Sequence, residues 1–532
     1  MFNPSAKRQP SWATFVYASF LLLIFCLGLD QSLLFDVDEG AFTEATREML
    51  LSGDWGHTTL NGVDRFDKPI GVYWLQALSA SLWGLNEFAY RFPSAISGWI
   101  ASLALAQFAY AKWGARAGIT AGLIAATSLG PWAMARTATA DALLGMFFVL
   151  IFLDLARAML DRRLVAGRRV ALWMGLGMLV KGPVAIVLPA GTLFIYTLLQ
   201  PQARSFVFSL LRDVYAWIIL LSVSVPWYAY AYSRHGQAFI DGFILKHNVD
   251  RFVGSLEGHS GHWAYFLVAL PVLWMPWSGL LLRSFSQIRS QWQDELLKLS
   301  WVWFAFVFCF FSIANTKLPH YLLYAEPAVC LLLTYASLRA TVKTWLFSVS
   351  IALLGFVALL GLPHYLKNHA TEVSDIFYRS LVLNAEAPQL LVWLFALPLV
   401  WLIGGGVNYF MRPQIAAAGF KRGDLWLVNF AVFQAIVLAM FVLPWWSKTL
   451  QSPVRELAFK LKDNPVTVVQ WGVHLPSFAT YREQAAPRRE PQAGELALVK
   501  NVSPNWPSDW QVIESRGPLS IVQSPKNPSQ AR

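Results

Sequence analysis

Long apolar runs fill most of this chain and leave only short polar stretches between them. A helix needs about 20 consecutive apolar residues to cross the hydrocarbon core of a bilayer. Hydrophobic residues make up 56% of the sequence and charged residues only 14%, whereas soluble domains carry about 25% charged residues. We therefore predict an all-α polytopic membrane protein, because a chain this apolar requires a bilayer as its solvent.

The apolar runs predict about thirteen membrane-spanning helices. Their predicted bounds are 12–34, 92–111, 117–135, 138–156, 169–180, 183–199, 214–232, 263–282, 299–314, 321–338, 344–361, 390–410 and 425–446. No cleavage site of small residues follows the first run, so we expect it to be a retained helix rather than a signal peptide.

Basic residues cluster in alternate loops between the predicted spans. They are Lys7/Arg8, Lys112/Arg116, Arg157/Arg162/Arg163/Arg168/Arg169, Arg204/Arg212, Arg283/Arg289/Lys298, Arg339/Lys343 and Arg412/Lys421/Arg422. Because short basic loops stay in the cytoplasm, the N-terminus is predicted to be cytoplasmic. The loops 35–91, 233–262 and 362–389, the C-terminal tail and all 9 histidines then face outward. This clustering also accounts for the net charge of +11, so nucleic acid is not an expected partner.

The outward parts of the chain contain local structure of their own. Glu39–Ser52 and Pro69–Trp83 have helical spacing of apolar residues, and we predict two amphipathic helices lying in the membrane interface. The pattern of apolar and turn residues in the C-terminal tail predicts a small soluble α/β domain with a helix and three strands. These elements are Arg455–Leu461, Val466–Trp471, Glu495–Val499 and Trp510–Glu514. The predicted domains are therefore a transmembrane domain, 1–446, and a soluble domain, 447–532.

Two segments of the first outward loop contain charged residues of the kinds that catalyse reactions or bind charged ligands. Asp36, Asp38 and Glu39 follow the first span directly, where carboxylates can serve as a general base or a cation site. Acidic residues are equally typical of a helix N-terminus. In the segment Arg65–Pro69, Lys68 can hold a phosphate as a point charge, or it can form a simple interfacial salt bridge.

Further ionisable residues lie near predicted span ends and in two later loops. Asp141 and Lys181 are functional candidates unless they extend to the membrane surface. The stretch from His247 to Trp263 is rich in histidine, carboxylate and arginine, which suits a metal or a phosphate, although it has no His-Glu-x-x-His spacing. The short cationic segment Lys317–Tyr321 joins two predicted spans.

Taken in order, these segments resemble one family. The matching motifs are Asp38-Glu39, Arg47-Glu48-Met49, Gly53-Asp54-Trp55, Asn61-Gly62, Asp67-Lys68-Pro69, Tyr73-Trp74, Arg91–Ser94, Thr139-Ala140-Asp141, Lys181–Pro183, His247, Arg251-Phe252, His259 and Lys317–Tyr321. The series is similar to that of the GT-C class of membrane glycosyltransferases, and most of all to bacterial aminoarabinose transferases and protein-mannosyltransferase-like enzymes.

The resemblance implies a GT-C fold and a reaction. Such enzymes move a sugar from a polyprenyl-phosphate carrier, of the undecaprenyl type in bacteria, to an acceptor at the outer face of the inner membrane. The acceptor is a lipid, such as lipid A, or a protein. No nucleotide is needed, and the remaining partners are membrane lipids.

The resemblance also assigns roles to residues of this chain. Asp38 and Asp141 match essential catalytic aspartates. The residues implied to bind substrate are Glu39, Lys68, Arg251, His259, Lys317 and Tyr321. Asp67 and His247 match a pair that can hold a divalent metal, namely Zn²⁺, Mg²⁺ or Mn²⁺. This chain differs from the family's usual motif in having Asp67 where glutamate is common, and Ala41-Phe42 where Arg-Tyr is common.

Elementary chemistry fits this reaction. A phosphate is a weak base, so its departure requires cations rather than a strong acid, and Lys68, Arg251 and Lys317 are outward cations. A hydroxyl acceptor needs a base, for which Asp38 is placed, whereas a phosphate acceptor does not.

Two alternatives belong to other functional classes. The first is a transporter or flippase for a lipid-linked sugar, but such sites lie near the bilayer midplane between repeats, and the sequence has no internal repeat. The second is an outward-facing ligase or oligosaccharyltransferase, but the tail lacks a Trp-Trp-Asp-Tyr-Gly segment.

Overall fold

Helices joined by short turns dominate the computed structural model, which describes residues 11–250, 261, 262, 264–386, 404, 406, 413, 416, 418–502, 506, 507 and 510–525. In order, the α-helices before Gly236 are Ser11–Cys26 (α1), Asp38–Ser52 (α2), Gly71–Trp83 (α3), Glu87–Trp113 (α4), Ala115–Thr127 (α5), Leu129–Met134 (α6), Asp141–Asp161 (α7), Leu164–Lys181 (α8), Val184–Leu199 (α9), Arg204–Leu211 (α10) and Val214–His235 (α11). The helices that follow are Gln237–Phe239, the π-helix Ile240–Asp250, Tyr265–Leu273, Ser278–Ser286, Ile288–Gln291, Glu295–Ile313, the 3₁₀ helix Pro319–Ala325, Glu326–Leu338, Val342–Asn368, Ile376–Leu383, Arg422–Val437, the π-helix Leu438–Val442, Leu443–Lys460 and Pro476–Arg482.

Several of these helices can cross a bilayer. Among the described residues, 7 helices are long and apolar enough, or up to 9 if each of two bent pairs counts as one span. The seven are Glu87–Trp113, Asp141–Asp161, Val214–His235, Glu295–Ile313, Pro319–Leu338, Val342–Asn368 and Gly423–Lys460. The predicted polytopic helical architecture is confirmed, whereas the predicted number of about thirteen spans is not reproduced.

Breaks inside apolar runs explain part of this difference. The predicted span 117–135 is two helices, α5 and α6, because Ser128 between them has extended backbone angles (φ −65°, ψ 132°). The predicted span 263–282 bends by 116° between Leu273 and Ser278. After α9 the chain bends by 120° into α10, which the sequence analysis treated as a loop. The predicted span 390–410 lies outside the described residues, apart from positions 404 and 406.

Polar side chains fix where several helices begin. The Asn86 side chain accepts a hydrogen bond from the Ala89 N–H (2.9 Å) at the start of α4. Asp213 accepts from the Tyr215 N–H (3.1 Å) at the start of α11. Each carboxylate or amide satisfies an N–H group that has no partner within its own helix.

The first outward loop contains the two predicted helices, and one of them is largely buried. The bounds of α2 and α3 agree with the prediction within a few residues. However, α2 is buried on nearly all sides, including the polar residues Thr43, Glu44 and Arg47. A side chain at Gly40 would lie 2.5 Å from the Ser477 N atom of the C-terminal domain. The C-terminal domain therefore covers the outer face of α2, so this helix is buried inside the protein.

The C-terminal domain is the predicted small α/β unit. Its sheet contains β3 (Val468–Gln470), β4 (Leu496–Lys500), β6 (Leu519–Gln523) and β5 (Gln511–Arg516), in that order. β3 and β4 are parallel and the other pairs are antiparallel. The three predicted strands and the predicted helix are present, and the fourth strand, β6, was not predicted. The helix Leu443–Lys460 runs through the predicted boundary at 446/447, so one continuous helix joins the two units.

Ion pairs mark one end of the helix bundle. Near the end of α7, Asp154 binds Arg157 (2.8 Å) and Arg169 of α8 (2.7 Å). At the same end, Arg168 pairs with Asp213 (2.8 Å) and Arg116 pairs with Asp424 (2.8 Å). The candidate site residues lie at the opposite ends of these helices, near the start of α7 and the end of α8.

Candidate active site

A first charged centre forms where the loop between α2 and α3 meets the π-helix Ile240–Asp250. The Arg65 Nη2 atom lies 2.7 Å from Asp67 Oδ2, and the His247 Nε2 atom lies 2.5 Å from Asp67 Oδ1. Arg65 also donates to the Tyr73 hydroxyl (3.2 Å). Burial alone would raise the pKa of Asp67, but the hydrogen bond from His247 and the charges of Arg65 and Lys68 hold this pKa below its usual value. Asp67 is therefore a fixed negative charge that positions Arg65 and His247.

Lys68 lies in the same loop, immediately before α3. Its ammonium donates to the Asp67 carbonyl (3.0 Å), and its side chain is half-buried. Pro69 and Ile70 after it are buried, which fixes the backbone at this position. Lys68 and Arg65 thus present two positive charges from one short, anchored loop.

Asp38 is the first residue of α2 and is exposed. Among the described residues, no hydrogen bond or ion pair engages its carboxylate. Burial would lower the pKa of Arg65, but Tyr73, Asp67 and the nearby charge of Asp38 raise it above its usual value. Asp38 is therefore a solvent-accessible carboxylate at the edge of the first centre.

Glu39 has a different environment from its neighbour. It is 2% exposed, and Arg91 donates to both of its carboxylate oxygens at 2.8 and 2.7 Å. The Ala138 N–H (2.7 Å) and the Phe35 N–H (2.9 Å) donate to it as well. These contacts tie α2 to α4 and to the turn before α7. The geometry favours a structural role for Glu39 over the substrate-binding role that the sequence assigned.

A second charged centre surrounds Asp141, the first residue of α7. The Lys181 ammonium donates to Asp141 Oδ1 at 2.5 Å, and the Tyr324 hydroxyl donates to the same oxygen at 2.9 Å. His320 Nε2 lies 3.6 Å away. The Lys181 ammonium is also 5.7 Å from the ring centroid of Tyr321. Asp141 thus fixes the position of a lysine that closes α8, with two tyrosines around it.

Lys317 does not join either centre. Its ammonium donates to the backbone carbonyls of Phe311 (3.2 Å), Ser312 (2.5 Å) and Ala314 (2.5 Å), and the residue is buried. Carbonyls at the end of a helix lack partners within the helix, and a lysine here satisfies them. The geometry therefore gives Lys317 a capping role in place of the predicted contact with substrate. Arg251 and His259 lie outside the described residues.

Close contacts hold the two centres at the same end of the bundle. A side chain at Gly242 would lie 2.8 Å from the Phe66 ring, and one at Gly182 would lie 2.7 Å from the Phe243 ring. The loop carrying Arg65 and Asp67 and the end of α8 carrying Lys181 therefore both pack on the π-helix Ile240–Asp250. Both centres thus lie at the same end of the helix bundle.

Four polar groups at these centres were not assigned a role from the sequence. Arg65 begins the segment Arg65–Pro69, and His320 belongs to the segment Lys317–Tyr321, but neither residue was given a role. Tyr324 lies three residues after Tyr321, about one helical turn away, and this spacing was the signal that could have identified it. His474 comes from the C-terminal domain, and burial, Arg488 and Arg65 lower its pKa to about 4. No local pattern indicates that a histidine so distant in sequence lies near Arg65.

The pair assigned to a divalent metal offers a poor donor set. His247 and Asp67 contact each other directly at 2.5 Å, and the second oxygen of Asp67 is held by Arg65. Two ligand atoms on a tetrahedral Zn²⁺ lie about 3.3 Å apart, given bonds of about 2.0–2.1 Å. The described residues of this pair therefore form a charged hydrogen bond rather than a metal cage.

Comparisons with known proteins point to one group. A family model described as dolichyl-phosphate-mannose-protein mannosyltransferase matches residues 67–230. The undecaprenyl phosphate-alpha-4-amino-4-deoxy-L-arabinose arabinosyl transferases of Aeromonas salmonicida and Proteus mirabilis are each 29% identical to the chain. The first match covers 64% of this chain and 63% of the relative, and the second covers 62% and 60%. The matched parts thus span less than two thirds of these relatives' length.

A solved structure covers nearly the whole chain. The crystal structure of ArnT from Cupriavidus metallidurans bound to undecaprenyl phosphate superposes with a TM-score of 0.79, at 20% identity, over 98% of this chain and 100% of that chain. Its apo state gives a TM-score of 0.76. The chain therefore has the fold of ArnT, and its predicted resemblance to this group of membrane glycosyltransferases is confirmed.

Proposed function

We propose that this chain is a membrane glycosyltransferase that takes a sugar from a polyprenyl-phosphate carrier of the undecaprenyl type. The acceptor is a lipid, such as lipid A, or a protein. The observation that carries the proposal is the pair of loop cations, Arg65 and Lys68, beside the accessible carboxylate of Asp38. They lie at one end of a fold shared with a protein solved in complex with undecaprenyl phosphate.

The location of the site fits a lipid carrier. The apolar tail of a polyprenyl phosphate stays in the hydrocarbon, so its phosphate reacts at the membrane surface. The helices α7 and α8 place Asp141 and Lys181 at the same end as the first centre. A substrate anchored in lipid can therefore reach both centres without leaving the bilayer.

In the proposed reaction, the bond between the anomeric carbon and the carrier phosphate oxygen breaks as the acceptor oxygen bonds to that carbon. Lys68 and Arg65, together with Arg251, stabilise the negative charge that develops on the phosphate. A hydroxyl acceptor gives its proton to Asp38, whereas a phosphate acceptor has none to give and Asp38 then positions it. The carrier leaves as polyprenyl phosphate, so atoms and charges balance.

Asp141 acts in this proposal through its contacts with Lys181 and Tyr324. A carboxylate that fixes a lysine beside tyrosines creates a site for an anionic or hydroxylated group. We assign to Asp141 the organisation of the second centre, and to Lys181 and Tyr321 the contact with substrate.

The proposed chemistry uses the protein's own cations. The donor is already activated as a glycosyl phosphate, so no nucleotide takes part. Asp67 binds both His247 and Arg65, so no step is assigned to a metal at this pair.

We further propose a bacterial inner membrane location, with the N-terminus in the cytoplasm and the C-terminal domain in the periplasm. The support is the set of arginines at the bundle end opposite to the site, among them Arg116, Arg157 and Arg169. Short basic segments remain cytoplasmic, which leaves the two centres at the outer face.

Transfer by purified protein in detergent tests the function. Undecaprenyl phosphate carrying radiolabelled 4-amino-4-deoxy-L-arabinose is the first donor, because the named relatives use that sugar carrier, and lipid A is the first acceptor. We expect labelled acceptor and released undecaprenyl phosphate. A detergent micelle has no second compartment, so a flippase would give no product, and intact donor with every acceptor and sugar tried would overturn the proposal.

A further inference from the structure

A second group of ligand-type side chains lies outside the two centres, where the first outward loop meets the end of α11. It consists of His57, Asp64 and His235, and one donor atom from each lies within 4.8 Å of the others. His57 precedes β1 (Thr59–Leu60), Asp64 ends β2 (Val63–Asp64), and His235 ends α11. Two imidazoles and a carboxylate form a donor set that suits Zn²⁺ and related divalent transition metals.

Each imidazole lies close to one of the two oxygens of the Asp64 carboxylate. His57 Nε2 lies 3.2 Å from Asp64 Oδ1, and His235 Nδ1 lies 3.3 Å from Asp64 Oδ2. Ligand atoms around a tetrahedral Zn²⁺ are about 3.3 Å apart when its bonds are about 2.0–2.1 Å long. The two imidazole rings are 4.6 Å apart between centroids and tilted by 34°, so they converge without stacking flat.

An ordinary hydrogen bond does not account for this arrangement. His57 Nε2 is buried and satisfied by no hydrogen bond in the described part of the chain, although Asp64 Oδ1 is within reach. The ring therefore does not aim its nitrogen at that oxygen, as a His–Asp bond requires.

We propose that His57, Asp64 and His235 bind a divalent transition metal ion, Zn²⁺ by its preference for this donor set. The side chains of the two histidines are 12% and 11% exposed, whereas that of Asp64 is 50% exposed. The ion thus has protein on one side and solvent on the other, and water completes its coordination. The site is separate from the Asp67–His247 pair, with which it shares no residue.

The position of the ion gives it a mechanical role. It fastens the β1–β2 hairpin to the end of α11, where Trp227 Nε1 already donates to the Gly56 carbonyl (3.0 Å) and Arg234 pairs with Asp54 (2.6 Å). Phe66 then packs edge-on against the His235 ring, with centroids 5.1 Å apart. Since Arg65 and Asp67 flank Phe66, the ion stabilises the loop that carries the first centre.

Metal binding by the full-length protein in detergent tests the proposal, whether or not the proposed transfer reaction is found. The protein is purified with an affinity tag free of histidine, stripped with a chelator and titrated with Zn²⁺ in a calorimeter. We expect one equivalent to bind and the thermal midpoint to rise. Co²⁺ in its place should give the visible absorption bands of a tetrahedral site.

Four variants locate the ion. Asp64→Asn keeps the shape of a half-exposed side chain, so its fold is retained, and it should weaken Zn²⁺ binding by more than about 100-fold, beyond the effect typical of an outer-shell change. His57→Ala and His235→Ala should do the same, and the exposed His364→Ala is the matched control that should bind as wild type. His247→Ala should also keep Zn²⁺ binding. The proposal is overturned if the wild type binds no Zn²⁺, if Asp64→Asn binds it unchanged, or if His247→Ala alone removes it.

Discussion

Asp38 and Glu39 are adjacent carboxylates that the fold uses in opposite ways. Asp38 begins α2 and faces solvent near Arg65, whereas Glu39 turns inward and is held by Arg91. In the sequence, the two residues belong to one motif, Asp38-Glu39. Helix geometry separates them, because successive side chains on a helix point about 100° apart.

Asp38→Asn should stop transfer while leaving the fold intact. Asparagine has nearly the same shape but cannot accept a proton, and general-base catalysis is typically worth about 10²–10⁴ in rate. Sugar transfer by purified protein measures the loss, and detergent stability measures the fold. Asp30→Asn is the matched control, because Asp30 is also exposed and close in sequence. A fully active Asp38→Asn would remove this residue from the reaction.

Lys68 and Lys317 should respond differently to the same change. Lys68→Ala removes a half-buried cation beside the proposed phosphate, and a hydrogen bond to a charged group contributes about 1.5–3 kcal/mol. Binding of undecaprenyl phosphate should therefore weaken about 10- to 100-fold with little change in stability. Lys317→Ala leaves three carbonyls without their donor, so it should lower the free energy of unfolding by about 1–3 kcal/mol. Equal carrier binding by wild type and Lys68→Ala would contradict this assignment.

Lys181 and Asp141 form a nearly buried pair, with side chains 12% and 14% exposed. Lys181→Met leaves the carboxylate uncompensated, which costs about 3–5 kcal/mol. The double variant Asp141→Asn, Lys181→Met removes both charges, so thermal melting should show a recovery of stability. Transfer should stay lost in both. Recovery of transfer in the double variant would show that the pair serves only the fold.

At the scale of secondary-structure elements, α2 is the clearest case of a helix whose surroundings the sequence does not reveal. Its polar residues suggested contact with water, but their partners are protein groups: Thr480 for Thr43 (3.1 Å) and the Glu483 carbonyl for Arg47 (2.9 Å). These partners lie more than 430 residues later in the chain. Docking of the C-terminal domain therefore converts an amphipathic helix into a buried one.

Asp36 is part of this docking contact and should make it pH-dependent. The Ser477 N–H donates to its carboxylate (2.9 Å), and the Ser477 hydroxyl does too. Burial raises the pKa of Asp36 to about 7, although the bonds from Ser477 oppose the shift. A carboxyl with a raised pKa in the folded state binds more protons there than in the unfolded state, so its contribution to stability falls as pH rises from about 4 to about 7.

The thermal midpoints of wild type and Asp36→Asn, measured across this pH range, test the expectation. Asparagine carries no charge at any pH, so the variant should gain stability relative to wild type as the pH increases. A constant difference between the two proteins would contradict it. Since Asp36 contacts Ser477 of the C-terminal domain, Asp36→Asn would not be a neutral control for Asp38→Asn.

Local sequence patterns predicted most of the helices and strands. The features that were not predicted depend on contacts between residues distant in sequence. Apolar runs located α4, α7 and α11, and turn residues with alternating apolar positions located β3, β4 and β5. The runs did not reveal the break at Ser128 or the bend after Leu273, because an apolar segment has the same composition whether its helix is straight or bent. Charged motifs brought Asp38, Lys68 and Asp141 to attention, but Glu39 and Lys317 bind backbone and arginine partners that the motifs do not specify.

At the scale of the whole molecule, the charges of the helix ends separate into two layers. Asp154, Arg157 and Arg169 lie toward one end of α7 and α8, while Asp141 and Lys181 lie at the other. The C-terminal domain contacts α2 on the second layer. The sequence rule for loop charges and the three-dimensional arrangement of the helices therefore lead to the same two surfaces.

This arrangement predicts opposite accessibility for two exposed positions. Glu490 lies in the C-terminal domain, and Arg163, whose side chain is 70% exposed, lies between α7 and α8 at the basic end. In a chain whose three cysteines, Cys26, Cys309 and Cys330, are replaced by alanine, an impermeant maleimide should label Glu490→Cys in intact spheroplasts. It should label Arg163→Cys only after the membrane is permeabilised, because basic loops remain in the cytoplasm. The reverse pattern would place both charged centres on the cytoplasmic side, and would overturn the proposed topology together with a reaction at the outer face.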